Sequence, residues 1–327
     1  NYRKKDFSLF SAHSYFTDDT LMTLAVAKAL CKCGRAPDIA LYNETIRCMR
    51  VIGAKYPYAG WGLSFAKWLK AENPQPYQSF GNGAAMRISP VGEYARSEEE
   101  AKRLSRIVTA VSHDHPEGLK GAECVAVCVY LAKNGTGKEQ IFQRVKEEYY
   151  PEIASLSCEN LSKVYTFDES CQRTVPQALT CFFEGKDFED TIRNAISIGG
   201  DSDTVAAIAG GVAEAFFGIP TALIDVAKLY LDDDLLQLAE NIEKPFLVAA
   251  EHDHWVRWGK LLRVWLPSID GVPINLEVVG EFPRGLKKDA ALDLELRFLF
   301  LKGDFYKDKE EYDREKDSHM AAESYIP

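Results

Sequence analysis

Residues 205–217, VAAIAGGVAEAFF, are apolar on nearly every side of a helical wheel, so the helix they form has to be buried by other structure. Directly ahead of it stand Gly199, Gly200, Asp201, Ser202, Asp203 and Thr204. One aspartate at a helix start is explained by capping, because its carboxylate accepts from free backbone N–H groups and suits the positive end of the helix dipole. Two carboxylates flanking a serine, with a threonine hydroxyl next and glycines that admit close backbone approach, exceed what a cap requires. Such crowding of like charge needs a cation.

Near the start, SYFTDDTLMTLAVAKAL repeats the arrangement. Thr17, Asp18, Asp19 and Thr20 open a second Ala/Leu/Val-rich helix that runs to about Cys31. Carboxylates beside threonine hydroxyls are hard oxygen ligands, suited to magnesium or manganese rather than zinc or copper. If the two clusters meet in the fold, they would hold one or two divalent ions and orient a water for attack. An EF-hand calcium loop is not expected, since neither cluster has its ligand spacing.

With 327 residues and 46% hydrophobic content, the chain can build one large domain, or one domain with a smaller companion. A formal net charge of −10 leaves no basic stripe, so general nucleic-acid or anionic-membrane binding is not expected. No apolar run has the length of a membrane span, and NYRKKDFSLF lacks the apolar core of a signal peptide, which makes a cytoplasmic location the expectation. The eight cysteines form no paired CxxC framework and read as free, mostly buried thiols.

Helical spacing of apolar residues recurs in DIALYNETIRCMRVIGAKYP, SEEEAKRLSRIVTAVSHD, EGLKGAECVAVCVYLAKNG, GKEQIFQRVKEEYYPEIASL, VPQALTCFFEGKDFEDTIRNAISI and PTALIDVAKLYLDDDLLQLAENI. Residues 1–245 therefore read as an all-α domain of many helices, with no strand–helix alternation. Within it, Asp232, Asp233 and Asp234 read as the charged first turn of a helix. Residues 246–327 read as a small β-containing C-terminal extension, with strands about turn signals such as Asp270-Gly271 and a charged tail.

Three loops carry possible ligand chemistry. In SFGNGAAMRISPVG, a turn at Gly81, Asn82 and Gly83 leads toward a helix start at Ala84–Arg87, whose backbone N–H groups would suit a phosphate; it is equally the mark of an ordinary turn. In SHDHPEGLKGAE, His113 and His115 precede Pro116, which fits the first turn of a helix. With no third nitrogen or sulfur ligand nearby, zinc is not expected, and ligand contact competes with a plain loop role. YPYAGWGLSF reads as a flexible pocket wall or as an aromatic anchor for a turn.

Five segments in order, FTDDT, GNGAAMR, SHDHPEG, DESCQRTVPQAL and AISIGGDSDTVAAIAGGVAEAFFGIP, resemble the ADP-ribosylglycohydrolase family, which includes the dinitrogenase reductase-activating glycohydrolases. They span about residues 5–241. The resemblance implies an orthogonal multi-helix all-α domain with two Mg2+ or Mn2+ ions. It also implies hydrolysis at the anomeric carbon of ADP-ribose attached to a protein side chain or a small molecule. By the same resemblance, Thr17, Asp18 and Asp19 ligate metal from one side, and Asp201, Asp203 and Thr204 from the other. Gly81, Asn82, Gly83 and Ala84 would surround the diphosphate or distal ribose, with Ser112, His113 and His115 near the ligand. Asp18 or Asp19 would polarise or deprotonate the attacking water.

Family members usually begin with a G-x-x-x-G-D-x-x-G helix and a glutamate that works beside the metals. Asn1 falls just after the place of that glutamate, so a further helix is expected in the natural protein. This departure and the unmatched extension keep a second reading open, a non-catalytic relative that binds ADP-ribose or a partner protein.

Overall fold

A computed structural model of the chain describes residues 3–242 and the pairs 268–269 and 272–273. The chain divides into two units, Asn1–Glu243 and Lys244–Pro327. In the first unit the described residues form α1 (Asp18–Cys33), α2 (Asp38–Lys55), α3 (Leu63–Lys70), α4 (Ser89–Tyr94), α5 (Glu98–Thr109), α6 (Pro116–Lys133) and α7 (Lys138–Glu148). These are followed by α8 (Cys158–Val164), α9 (Cys171–Glu184), α10 (Phe188–Ile198), α11 (Ser202–Phe217), α12 (Thr221–Lys228) and α13 over 233–242. Extended pairing among residues 3–242 is confined to the single bridge between Gly81 and Ser170, so the all-α class expected from the sequence holds for this unit.

Two small-residue helices form the centre. α6 packs against α4, α5, α7, α9 and α11, while α11 packs against α4, α6, α9 and α10. Ala122, Val125, Ala126 and Val129 of α6, with Val205, Ala209 and Val212 of α11, are fully buried, which is where an all-round apolar helix has to go. α1 lies against α2 and α4 and brings Leu21, Met22, Ala25 and Val26 into the same core. The eight cysteines are free thiols, as the spacing suggested.

The helix boundaries differ from the periodicity in several places. GKEQIFQRVKEEYYPEIASL breaks after Glu148, and residues Pro151–Ser155 form a 3-10 turn instead. Proline lacks the N–H that would continue the helix and disfavours helical geometry in the residue before it. VPQALTCFFEGKDFEDTIRNAISI becomes the end of α9 and the whole of α10, because Asp187 starts a new helix by accepting from Asp190 N at 2.7 Å. The helix expected from Ala84 is replaced by a 3-10 turn over Asn82–Ala84, and α4 begins only at Ser89, with Pro90 in its first turn.

Asp232 caps α13 by accepting from Leu235 N at 2.9 Å, in line with the capping reading of the DDD run. No helix among the described residues is long and apolar enough to cross a membrane. In the second unit, Ser268–Ile269 pairs antiparallel with Val272–Pro273. The other expected strands and the charged tail lie outside the described residues.

Candidate functional site

The two acidic clusters sit at the starts of α1 and α11, yet neither N-cap side chain, Thr17 or Asp201, accepts a hydrogen bond from its own helix. Their polar atoms are turned toward each other. Thr17 Oγ1 donates to Asp19 Oδ2 at 3.0 Å, and Thr204 Oγ1 donates to the same oxygen at 3.4 Å. Asp201 Oδ2 accepts from Asn82 Nδ2 at 2.8 Å, which ties the second cluster to the glycine turn. Asp201 is aimed by Gly199 and Gly200, whose φ angles are +77° and +74°, a region only glycine occupies freely. A Cβ on Gly200 would also lie 2.3 Å from the Tyr165 ring.

Gathering these carboxylates has an electrostatic consequence. Burial, reinforced by the Asp203 and Asp18 charges, pushes the Asp19 carboxyl up to about 7 against the hydrogen bonds from Thr17 and Thr204. Asp18 is likewise pushed up to about 7, first by burial and then by Asp203 and Asp201. Asp201 rises to about 6 through burial, with Asp203 and Glu169 adding to the rise and Asn82 opposing it. Asp19 is 6% exposed, and its Oδ1 is buried with no hydrogen-bond partner.

An orphaned carboxylate oxygen among mutually repelling acids needs a proton or a cation, and hard oxygen donors fit a magnesium-type ion. The groups meet in pairs and through threonine hydroxyls. Among the described residues, no three His, Cys, Asp or Glu side chains surround one point as a closed cage.

The clusters open into a cleft of about 970 Å³. Of the residues singled out in the sequence, Thr17, Asp18, Asp201, Asp203 and Thr204 line it, together with Gly81, Asn82, Gly83 and His113. Four do not reach its surface. Asp19 lies behind Thr17 and Thr204, and Ala84, the last residue of the turn, is fully buried. Ser112 is also fully buried and bonds Arg87 and His113, while His115 caps α6, its Nδ1 accepting from Glu117 N at 3.1 Å. The helix start expected at Ala84–Arg87 is not formed, since the turn over Asn82–Ala84 is 3-10 and the next α-helix begins at Ser89.

Asn82 differs from a plain ligand contact, for its amide nitrogen is committed to Asp201 and to Thr174 Oγ1 at 3.2 Å. The turn itself is pinned to the segment before α9 through Asn82 N to Glu169 O at 2.6 Å and Cys171 N to Phe80 O at 2.9 Å. The aromatic loop expected as a wall does line the cleft through Tyr58, Gly60, Trp61 and Gly62. It is fastened to the first acidic cluster by Asp18 N donating to Ala59 O at 2.8 Å.

Several cleft residues, apart from Phe65 at the end of the quoted YPYAGWGLSF, had not been marked in the sequence. Phe65 and Tyr77 flank His113, with ring centroids at 6.3 and 5.8 Å. Arg87, 1% exposed, lines the cleft, and Asp168 and Glu169 enter from the loop before α9. The last three fall inside the quoted GNGAAMR and DESCQRTVPQAL segments, whose charged positions are the signal that could have found them.

A family model described as ADP-ribosylglycohydrolase matches residues 2–253. An uncharacterised protein of Archaeoglobus fulgidus is 30% identical over 161 residues, covering 45% of this chain and 53% of its own length, so the chain spans about half of that relative. Human ADP-ribosylhydrolase ARH3 is 22% identical over 293 residues, covering 71% of this chain and 79% of its own. A solved structure described as an ADP-ribosylglycohydrolase-related protein complex superposes with a TM-score of 0.53 at 22% identity, covering 75% of this chain and 87% of the other. At that identity the likeness speaks for the fold.

Proposed function

Because the chain belongs to the ADP-ribosylglycohydrolase family, we propose that it hydrolyses the glycosidic bond at the anomeric carbon of ADP-ribose carried on a protein side chain or a small molecule. The observation that supports this most is the meeting of Thr17–Asp19 with Asp201–Thr204 on a cleft large enough for a dinucleotide-sized ligand.

Charge supports a role for divalent cations. Asp18, Asp168, Glu169, Asp201 and Asp203 line the cleft against one guanidinium, Arg87. A diphosphate entering such a field is repelled unless cations offset the carboxylates. Thr17, Asp18, Asp19, Asp201, Asp203 and Thr204 would hold Mg2+ or Mn2+ there, and Asp19 Oδ1 is an oxygen with nothing else to bind. When bound, such ions supply charge compensation and Lewis acidity at the ribose hydroxyls.

The chain's own groups do the rest. Cleavage develops positive character on the ribose, which the carboxylate-rich wall favours. Asp18 faces the cleft whereas Asp19 is buried behind it, so Asp18 is the carboxylate placed to take a proton from the attacking water. Trp61, Phe65 and Tyr77 line the cleft and give it apolar surface against which a ligand ring can pack.

The test is to follow release of free ADP-ribose from an ADP-ribosylated protein, with and without magnesium, for the parent and for Asp201→Ala. Magnesium-dependent release that Asp201→Ala abolishes supports the reading. Full turnover by the variant, or by the parent in excess chelator, overturns the proposed mechanism.

A further inference from the structure

We infer that Ser112 and Arg87 are positioning residues that lock His113 into one tautomer, with its N–H on Nε2 presented to the cleft beside the Gly81–Gly83 turn. The argument starts from what a guanidinium can do, which is only donate. Arg87 Nη2 donates to Ser112 Oγ at 2.8 Å and lies 3.4 Å from His113 Nδ1. Ser112 Oγ lies 2.8 Å from His113 Nδ1 and keeps both a hydrogen to give and a second lone pair, so the Arg87 N–H at 3.4 Å, which can only donate, decides the direction. Nδ1 thus faces two donors and has to be the accepting nitrogen, which leaves the ring proton on Nε2.

The relay is closed to water. Ser112 is 0%, Arg87 1% and His113 4% exposed. Burial, with the Arg87 charge added, holds the imidazole well below its ordinary range, so the ring stays neutral. The titratable groups facing it are Arg87, from the segment ahead of α4, and Tyr77, from the loop ahead of the turn. α3 presents the Phe65 ring, and α6 brings Gly118 against the His113 Cβ. The neighbouring carboxylate, Asp114, is turned away and accepts from Gln78 N and Gln78 Nε2 at 2.6 and 2.7 Å.

On the far side, Nε2 has no hydrogen bond among the described residues. It stands where a Cβ on Gly83 would come within 3.2 Å and one on Gly81 within 3.6 Å, so both glycines keep the way to it open. His113 therefore offers a neutral N–H donor to a ligand oxygen and is not a proton acceptor. Ser112 serves the site through His113 without lining the cleft. Only the identity of the ligand, an ADP-ribose oxygen, rests on the hydrolase reading.

The test is a two-bond proton–nitrogen correlation spectrum of the 15N-labelled full chain from about pH 5.5 to about 8.5. The His113 signals are assigned by their loss in His113→Gln. The expected result is an Nε2–H pattern that does not change with pH. An Nδ1–H pattern, or titration near the free-imidazole value, overturns the inference, and if His113→Gln does not fold, the parent signals are assigned instead by through-bond correlation to the His113 backbone.

Ser112→Ala leaves Nδ1 facing only the 3.4 Å contact with Arg87. It is expected to mix the tautomers and to raise the ADP-ribose Kd roughly tenfold, with Ser112→Thr restoring both. Unchanged tautomer and affinity in Ser112→Ala overturn the role of Ser112. Failure of ADP-ribose to bind the parent would count against the hydrolase reading, while the spectrum still decides the tautomer.

Discussion

Thr204 Oγ1 donates to Asp19 Oδ2 at 3.4 Å, joining the first turns of two helices across a sequence separation of 185 residues. Around this contact the carboxyls of Asp18 and Asp19 are raised to about 7 by burial and mutual repulsion. The site is therefore built at an energetic cost that a proton or a cation offsets.

The first prediction concerns pH. A carboxyl whose folded pKa is raised binds more protons folded than unfolded, so stability is present at low pH and falls as pH rises between the unfolded value of 3.8 and about 7. In chelator, the melting temperature should decline across that window and level off above it, with a slope of at most about 1.4 kcal/mol per pH unit per carboxyl. Magnesium should reverse the decline, since it competes with the protons. Thermal melts from acid to neutral pH check this, and stability that rises with pH in chelator would falsify it.

Removing the buried charge should separate stability from ion binding. Asp19→Asn keeps the shape and the acceptor for Thr17 but carries no charge. At pH 8 without cation it should be more stable than the parent by about 1–2 kcal/mol, and its magnesium-induced melting shift should largely vanish. A variant that is destabilised in chelator, yet keeps the magnesium shift, would contradict the proposed place of Asp19.

Asn82 acts on the site through Asp201. Asn82→Ala deletes the 2.8 Å donor that opposes the rise of the Asp201 carboxyl. Magnesium affinity, measured by calorimetry, should fall about 10-fold to 100-fold, as for other supporting contacts to ligating groups. Asn82→Asp should be worse, because it sets a like charge against Asp201. Parent-like affinity in both would remove Asn82 from the account.

The Gly200 turn should tolerate no side chain. Gly200→Ala combines a φ of +74° with a Cβ placed 2.3 Å from the Tyr165 ring. A loss of about 2–4 kcal/mol in denaturant unfolding is expected. A change below about 0.5 kcal/mol would show that the turn relaxes without cost.

The boundary between the two units, Asn1–Glu243 and Lys244–Pro327, yields a truncation test. Residues 1–243 alone should fold with the helical content of the first unit and melt cooperatively. Insolubility, or a non-cooperative melt, would mean that the second unit completes the core of the first.

Much of the molecule was written in local patterns. Apolar spacing of three and four residues marked α1, α2, α5, α6 and α11, because a helix that buries a face has to repeat that face in its sequence. It missed the short helices α3, α4 and α8, whose few turns depend on neighbours rather than on their own periodicity. It also ran α9 into α10 and α7 into the turn after it, where one Asp187 cap and one Pro151 outweigh continuous apolar spacing.

The site divides along the same line. The residues of FTDDT and GGDSDT declared hard oxygen chemistry by type alone, and the glycines at 199 and 200 announced a turn. Only the packing of α1 and α11 about a common core decided that the two clusters meet, that Asp18 faces the cleft while Asp19 is buried, and that Asn82 holds Asp201. It likewise turned Ser112 and His115 away from the cleft and brought Arg87 and Tyr77 to His113. Residue chemistry and helical periodicity are local properties, legible in one stretch of chain. Which side chains share a desolvated volume depends on long-range packing, and that volume sets the pKa values and the direction of each hydrogen bond.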